Sequence, residues 1–227
     1  MKHFLALHQI DKSFRQGNSS VAVLKNLNFN FDFNQSYAIT GPSGCGKSTL
    51  MHLMAGADLP DHGEVDWCGN FKINQLTSVA KSFFWNQKIG LVFQQPGLIN
   101  ELTVLENVAL KGLISRQSDA FKKATIWLQE LGLEDRLNFF PNLLSRGEQQ
   151  RVAIARAMMC NVQLILADEP TASLDQANGE QVVSLLINLA KKYNMGLIVS
   201  THDEYVYQKM NQVLVIVNHQ LNPKITI

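Results

Sequence analysis

Cysteine and an excess of charge of either sign are what this sequence lacks most clearly. Its three cysteines, Cys45, Cys68 and Cys160, are odd in number and far apart, so they fit neither a disulfide framework nor a zinc site. Its 20 basic and 19 acidic residues leave a net charge of +1, which provides no excess to attract nucleic acid or an anionic membrane. We therefore expect a protein of the reducing cytosol that does not bind nucleic acid.

Long hydrophobic runs are missing as well. The longest run has five residues, Val213 to Val217, whereas a helix needs about 20 apolar residues to cross a bilayer. Residues 1–8 also lack an apolar stretch of the length found in signal peptides. What the sequence does have is 227 residues, 46% of them hydrophobic, which is enough for one domain with a sizeable core.

A glycine-rich segment between an apolar run and a predicted helix is the most specific motif. Residues 37–40 predict a strand, and residues 50–55 predict a helix. The glycines between them allow successive backbone N–H groups to point at one anion at the helix N-terminus. This context and the spacing are those of a phosphate-binding loop, or P-loop, which binds a nucleoside triphosphate with its lysine on the β- and γ-phosphates and its Ser or Thr on Mg²⁺. Its members here are Gly41, Pro42, Ser43, Gly44, Cys45, Gly46, Lys47, Ser48 and Thr49.

Two carboxylates end a second apolar run, which covers residues 164–168. A buried parallel strand has this composition, and ligands bind outside the carboxyl ends of such strands. Asp168 is therefore a candidate to hold Mg²⁺, and Glu169 is a candidate to polarise the attacking water. On its own the pair would indicate a solvated turn, but in a chain with a P-loop we interpret it as catalytic.

A well-capped helix is predicted to begin near Arg146. Ser145 and Glu148 have the spacing of a capping box, in which each side chain binds the backbone N–H of the other residue. The simplest interpretation is an ordinary capped helix. The alternative is a second phosphate site, because Gly147 leaves a free backbone amide in the first turn.

Together these segments resemble the ATP-binding-cassette ATPases. Residues 144–151 are similar to the signature sequence of that family, and further matches lie at residues 93–95, 173–175 and 200–203. The family usually has glycine where this chain has Arg146. The resemblance places the phosphate contacts on Ser145 and Gly147, so we expect activity to survive, while the bulky cation could alter dimerisation or turnover. The resemblance covers the whole chain in the family's order and implies an enzyme that hydrolyses ATP with Mg²⁺.

The resemblance also assigns roles to single residues. Phe14 lies where the family has an aromatic residue that stacks on adenine, although a core phenylalanine near a strand end is the alternative. Gln94 would reach Mg²⁺ or the attacking water, and His202 would contact the γ-phosphate and hold Glu169. The expected catalytic residues are thus Lys47, Gln94, Glu169 and His202, and the expected Mg²⁺ ligands are Ser48, Gln94 and Asp168.

A dimer is the arrangement that the resemblance implies. In the family two subunits associate head to tail about a two-fold axis, so that each ATP lies between the P-loop of one subunit and the signature of the other. Ser145, Gly147 and Glu148 would then bind the ATP of a second copy of this chain. Ser145 and Asp175 would line the interface between the two copies.

The order of predicted elements indicates an α/β fold of the P-loop NTPase type, with a three-layer core, an antiparallel β flank and an all-helical subdomain. Residues 1–95 and 161–227 are predicted to form the nucleotide-binding core with its flank, in which residues 27–33 alternate between apolar and polar as a half-buried strand does. Residues 96–160 are predicted to form the helical subdomain. Helices are expected over residues 104–116, 119–131, 146–159 and 176–193.

Residues 88–95 and 102–108 look most like the ATPases of lipoprotein-releasing and macrolide-export systems. Those enzymes pair with a separate membrane permease, so the chain is expected at the cytoplasmic face of the inner membrane. The alternatives are a soluble ATPase acting on nucleic acid or ribosomes, and an ATPase that regulates cell division. The apolar residues of 96–102 favour a docking surface for a membrane subunit, with packing of the helical subdomain as the alternative.

Overall fold

The computed structural model describes residues 4–17 and 19–224, which form two compact units. One consists of the described residues of Met1–Lys81 and Gly196–Ile227, and the other of Ser82–Met195. The predicted boundaries near residues 95 and 160 are not those of these units, so the division into a core and a helical subdomain stays a prediction. Among the described residues, no helix combines the length and the apolar character needed to cross a membrane.

An antiparallel sheet belongs to the first unit. Its strands β1 (Phe4–Gln16) and β2 (Ser19–Asp32) pair with each other, and β1 also pairs with β4 (His62–Trp67), which is followed by the short β5 (Phe71–Lys72). The predicted alternation in residues 27–33 is confirmed, because Leu27, Phe31 and Phe33 are buried. The antiparallel flank thus includes β4 and β5 in addition to β1 and β2. Only alternate residues of β4 are buried, as in a sheet with one solvated face.

A set of mostly parallel strands completes the first unit. Strand β3 (Ser36–Thr40) lies between β8 (Gly196–Ser200) and β9 (Gln212–Val217) and runs parallel to both, while β10 (Gln220–Pro223) is antiparallel to β9. Every residue of β8 is buried, which is typical of a strand covered on both faces. Helix α1 (Lys47–Met54) follows β3, and the short α7 (Glu204–Tyr207) follows β8.

The second unit is mostly helical. Strands β6 (Ile89–Val92) and β7 (Leu164–Asp168) pair in parallel, and residues 96–160 between them contain no strand. The helices of this part of the chain are α2 (Ser78–Lys88), α3 (Val104–Ile114), α4 (Ala120–Glu130), α5 (Arg146–Ala157) and α6 (Gln176–Lys192). The predicted helices over 104–116, 119–131, 146–159 and 176–193 are confirmed to within a few residues at their ends.

A buried asparagine holds the loop that precedes α3. Asn107 is 0% exposed, and its side-chain oxygen accepts a hydrogen bond from the backbone N–H of Ile99 at 2.8 Å. Its Nδ2 donates to the carbonyl oxygens of Ile99 (2.9 Å), Leu102 (3.0 Å) and Thr103 (3.0 Å). One buried amide thus binds backbone groups along the whole loop.

Replacing this amide should loosen the loop. We expect Asn107→Ala to lower the free energy of unfolding by about 1–3 kcal/mol, because it removes these hydrogen bonds from a fully buried side chain. Asn100→Ala, at an exposed position of the same loop, should change it by less than about 0.5 kcal/mol. Urea unfolding measures both values. Equal stability of the two variants would show that the loop does not depend on Asn107.

Candidate functional site

The P-loop connects β3 directly to α1. Gly46, the residue before α1, has φ 108°, a left-handed conformation that favours glycine. A Cβ atom on Gly46 would meet Cγ1 of Val23 at 2.6 Å, so a larger residue would collide there. Among the described residues, no side chain caps α1 and no acidic residue lies in its first turn. The N–H groups and the positive end of the helix dipole are therefore available to an anion.

Lys47 is buried and folds back over this loop. It is 8% exposed, and its Nζ donates to the carbonyl oxygens of Gly41 at 3.0 Å and Pro42 at 3.4 Å. Space is tight here as well, since a Cβ atom on Gly41 would lie 2.8 Å from Sγ of Cys45 and 3.2 Å from the carbonyl oxygen of Ile216. An ammonium group bound to loop carbonyls can transfer its donors to phosphate oxygens that enter the loop.

His202 lies at the same edge of the first unit as the P-loop. Strands β3 and β8 are parallel neighbours in which Ile39 pairs with Ser200, and the N–H of Thr201 donates to the carbonyl oxygen of Ile39 at 3.0 Å. The P-loop and His202 therefore follow adjacent strand ends. The side chain of His202 is 63% exposed, with its Nε2 atom 3.5 Å from Oδ1 of Asp203.

Phe14 is a surface residue of β1. It is 45% exposed, so the alternative of a core phenylalanine is wrong. The Nζ of Lys12 lies 5.1 Å from the centroid of its ring, a distance at which a cation attracts an aromatic face. The exposed ring offers a flat apolar surface, and its stacking on adenine stays a prediction.

In the second unit, Gln94, Asp168 and Glu169 follow the ends of two paired strands. Val92 of β6 pairs with Ala167 of β7 in parallel, so the segments that contain these three residues begin side by side. Glu169 has φ 48°, and a left-handed conformation costs a residue with a side chain of order 1–3 kcal/mol. Such strain is concentrated at functional sites, and nothing in the sequence indicated it.

The capping box predicted at the start of α5 is confirmed. Oγ of Ser145 accepts a hydrogen bond from the N–H of Glu148 at 3.3 Å, and Oε2 of Glu148 accepts from the N–H and the hydroxyl of Ser145, both at 2.8 Å. The bond from the Ser145 N–H is the main cause of a lowered pKa of Glu148, to which its ion pair with Arg136 contributes. The cap therefore contributes stability at neutral pH and loses it only as the pH falls through that lowered pKa.

The start of α5 lies against the start of α6. A Cβ atom on Gly147 would be 3.1 Å from Oδ1 of Asn178. Asp175, the N-cap of α6, accepts hydrogen bonds from the N–H and the side-chain amide of Asn178 at 3.0 and 2.6 Å. Arg146, at the position where the chain departs from the family, donates from Nη1 to the carbonyl oxygen of Ser173 at 3.4 Å. The structure thus brings Gly147 and the residues around Asp175 together.

Some contacts around Gln94 were missed by the sequence analysis. Gln150 and Arg156, both on α5, donate hydrogen bonds to backbone carbonyls on either side of Gln94. A signal was present in the sequence, because Gln150 has the helical spacing of the buried residues Gly147 and Ile154. A polar residue on an otherwise buried stripe of a helix indicates a specific partner.

The segment of residues 96–102 is neither fully buried nor fully exposed. Ile99 is 40% exposed, whereas Leu98 and Leu102 are half-buried. Pro96, Gly97, Leu98 and Asn100 line an open cavity of about 360 Å³ in the second unit. Burial therefore does not exclude either interpretation of residues 96–102.

The sequence of this chain is similar to those of known proteins. Residues 24–172 match the family model described as ABC transporter, where ABC stands for ATP-binding cassette. The chain is 40% identical to the lipoprotein-releasing system ATP-binding protein LolD of Legionella pneumophila (strain Lens), over 93% of this chain and 94% of that protein. It is 37% identical to LolD of Colwellia psychrerythraea (strain 34H / ATCC BAA-681), over 98% of this chain and 87% of that protein.

Solved structures are similar over nearly the whole chain. A dimeric structure of MJ0796, a bacterial ABC transporter cassette, has a TM-score of 0.87 and 36% identity, and covers 96% of both chains. A dimeric post-hydrolysis state of MJ0796 bound to ADP and Pi has a TM-score of 0.87 and 35% identity, and covers 98% of this chain and 100% of that one. The chain therefore belongs to the ABC transporter family, as one of its ATPase cassettes.

Proposed function

We propose that this chain is the ATPase subunit of a lipoprotein-releasing transporter and that it drives a separate membrane subunit. The observation that carries this proposal is the similarity to the LolD proteins, which extends along almost all of the chain. The chain would act at the cytoplasmic face of the inner membrane. The alternatives, action on nucleic acid or ribosomes and regulation of cell division, are not favoured, because the similar proteins named above are lipoprotein-releasing ATPases and transporter cassettes.

ATP would bind at the P-loop through residues 41–49. Three observations support this proposal. The glycines of the loop have positive φ angles, the first turn of α1 contains no acidic residue, and the Lys47 ammonium is held by a carbonyl oxygen of the loop. The ammonium would move from these carbonyls to the β- and γ-phosphates, and Phe14 would stack on adenine. These groups offset charge on the transferred phosphoryl group, which is most of what a phosphoryl-transfer enzyme must supply.

Ser48, Gln94 and Asp168 would hold Mg²⁺. A hydroxyl, an amide and a carboxylate all offer the oxygen ligands that this ion prefers. When bound, Mg²⁺ supplies positive charge to the β- and γ-phosphates. Glu169 would accept a hydrogen bond from the attacking water and align it in line with the leaving group, while His202 would contact the γ-phosphate and hold Glu169.

The working form would be a head-to-tail dimer of two copies of this chain. Ser145, Gly147 and Glu148 of one copy would lie on the ATP held by the P-loop of the other, with Asp175 at the interface. This proposal is supported by the similarity to a cassette solved as a dimer. The γ-phosphate would contact both copies, so that hydrolysis releases them and the cycle of closing and opening moves the membrane subunit.

Replacing the proposed water-positioning carboxylate separates binding from chemistry. Glu169→Gln should slow hydrolysis by about 10²–10⁴-fold and leave ATP binding intact, because the amide cannot accept the water's proton. The variant should then accumulate as an ATP-bound dimer that elutes early in gel filtration. Glu180→Gln, on α6, is the control and should hydrolyse ATP normally. Near-normal turnover of Glu169→Gln would contradict the role of Glu169.

Lys47→Ala, unlike Glu169→Gln, should lose ATP binding and the ATP-dependent dimer. It removes the ammonium that binds the β- and γ-phosphates, so both the affinity for ATP and the rate of hydrolysis should fall. Equilibrium binding of a fluorescent ATP analogue and gel filtration with ATP check this expectation. A Lys47→Ala chain that still forms an ATP-dependent dimer would show that ATP is bound by other groups.

The docking of the membrane subunit can be tested at Ile99. We propose that the surface of residues 96–102 receives a cytoplasmic segment of that subunit, so Ile99→Glu should abolish co-purification with the membrane subunit. Ile126→Glu is the matched control, because Ile126 is an exposed isoleucine on α4 at 54% exposure. Normal assembly of the Ile99→Glu chain would exclude this surface. A lowered urea midpoint of that chain would instead favour the packing interpretation.

A further inference from the structure

A buried glutamine on α5 holds the residue that precedes Gln94. Gln150 is 1% exposed, and its Nε2 donates a hydrogen bond to the carbonyl oxygen of Phe93 at 3.1 Å. Helix α5 also packs against β6, the strand that ends just before Phe93. This hydrogen bond therefore fixes the end of β6 to the middle of α5.

The other side of the same turn is held by a second side chain of α5. The guanidinium of Arg156 donates to the carbonyl oxygens of Pro96 at 2.5 Å and Gly97 at 2.7 Å. Burial lowers the pKa of Arg156. Only Gln94 and Gln95 lie between the anchored carbonyls, and both are exposed. Oγ of Ser173 also donates to the carbonyl oxygen of Gln94 at 3.5 Å. The backbone around Gln94 is thus held by α5 and Ser173, and not by burial of the Gln94 side chain.

The side-chain oxygen of Gln150 makes no hydrogen bond within the described part of the chain, although it is buried. A buried polar atom without a partner costs about 1–3 kcal/mol. Leucine has a similar size and would fit the buried stripe of α5 without this cost. A glutamine at a position where leucine would give a protein of equal or higher stability indicates a functional requirement for the amide.

We propose that Gln150 is a positioning residue for ATP hydrolysis. Its amide fixes the carbonyl of Phe93, and this places the Gln94 side chain where it reaches Mg²⁺ or the attacking water. Gln150 acts through Gln94 and does not touch ATP, so the inference rests on the function proposed above for Gln94. A displacement of about 1 Å can cost a catalytic group about 10²-fold in rate, so the loss of one anchoring hydrogen bond is sufficient.

The test is a double-mutant cycle that combines Gln150→Leu with Gln94→Ala in the full chain. Gln150→Leu should lower kcat about 10–100-fold and raise the Mg²⁺ concentration needed for half-maximal hydrolysis, with the KM for ATP little changed. In the Gln94→Ala background it should have little further effect, because both changes remove the same function. The urea midpoint of the Gln150→Leu chain should be unchanged or higher, because the substitution removes the buried unpaired oxygen of Gln150 together with its amide donor.

Gln149→Leu is the matched control. Gln149 lies on the same helix, but its Nε2 donates to the carbonyl oxygens of Pro141 at 3.0 Å and Leu144 at 3.2 Å. Any loss of activity in this variant should therefore add in full to that of Gln94→Ala. Should Gln150→Leu fail to fold, Gln150→Met removes the amide with a more adaptable side chain and carries the same test.

The possible failures are distinguishable. A Gln150→Leu chain with normal kcat, or with a loss that adds in full to that of Gln94→Ala, would overturn the positioning role of Gln150 alone. Normal hydrolysis by Gln94→Ala would overturn the role proposed for Gln94, and this inference with it. Non-additive losses together with a raised Mg²⁺ requirement would support it.

Discussion

A phosphate group has to be held mainly by backbone N–H groups, and much of this structure depends on that constraint. The donors must converge on one point at a helix start, which requires the left-handed glycine conformation at Gly46 and the close approach at Gly41. The first turn of α1 also has to lack carboxylates, and it does. The parallel strand β3 then positions this helix start beside the end of β8.

The sequence predicted those parts of the site that depend on local spacing. The P-loop, the capping box at Ser145 and the long helices all follow from residue types within a few positions of each other, and the structure has these helices and this cap. The pairing of β4 with β1 could not be predicted in the same way, because strand partners are chosen by contacts far apart in the chain. The left-handed conformation of Glu169 is likewise set by its surroundings and cannot be recognised from the residue type.

Helix α5 has a larger part in the second unit than its motif suggests. Its first residues contain the capping box, and Gln150 in its middle donates a hydrogen bond to the carbonyl of Phe93. Arg156 in its last turn holds the loop that follows Phe93. Asn107 fixes the continuation of that loop through the backbone of Ile99. Side-chain to backbone hydrogen bonds from α5 and α3 thus hold the chain between Phe93 and the exposed Ile99.

Arg146 gives the start of α5 an electrostatic character of its own. The first turn of a helix already carries partial positive charge, so a cation placed there is repelled by the dipole, whereas an anion is attracted. Its hydrogen bond to the carbonyl of Ser173 is long, at 3.4 Å, and offsets little of this repulsion. An anion near this helix start would relieve it, and because the side chain is exposed, the relief would weaken as dissolved ions screen the charges. Compared with glycine, arginine adds a full charge to this helix start and makes its electrostatics more sensitive to the salt around the protein.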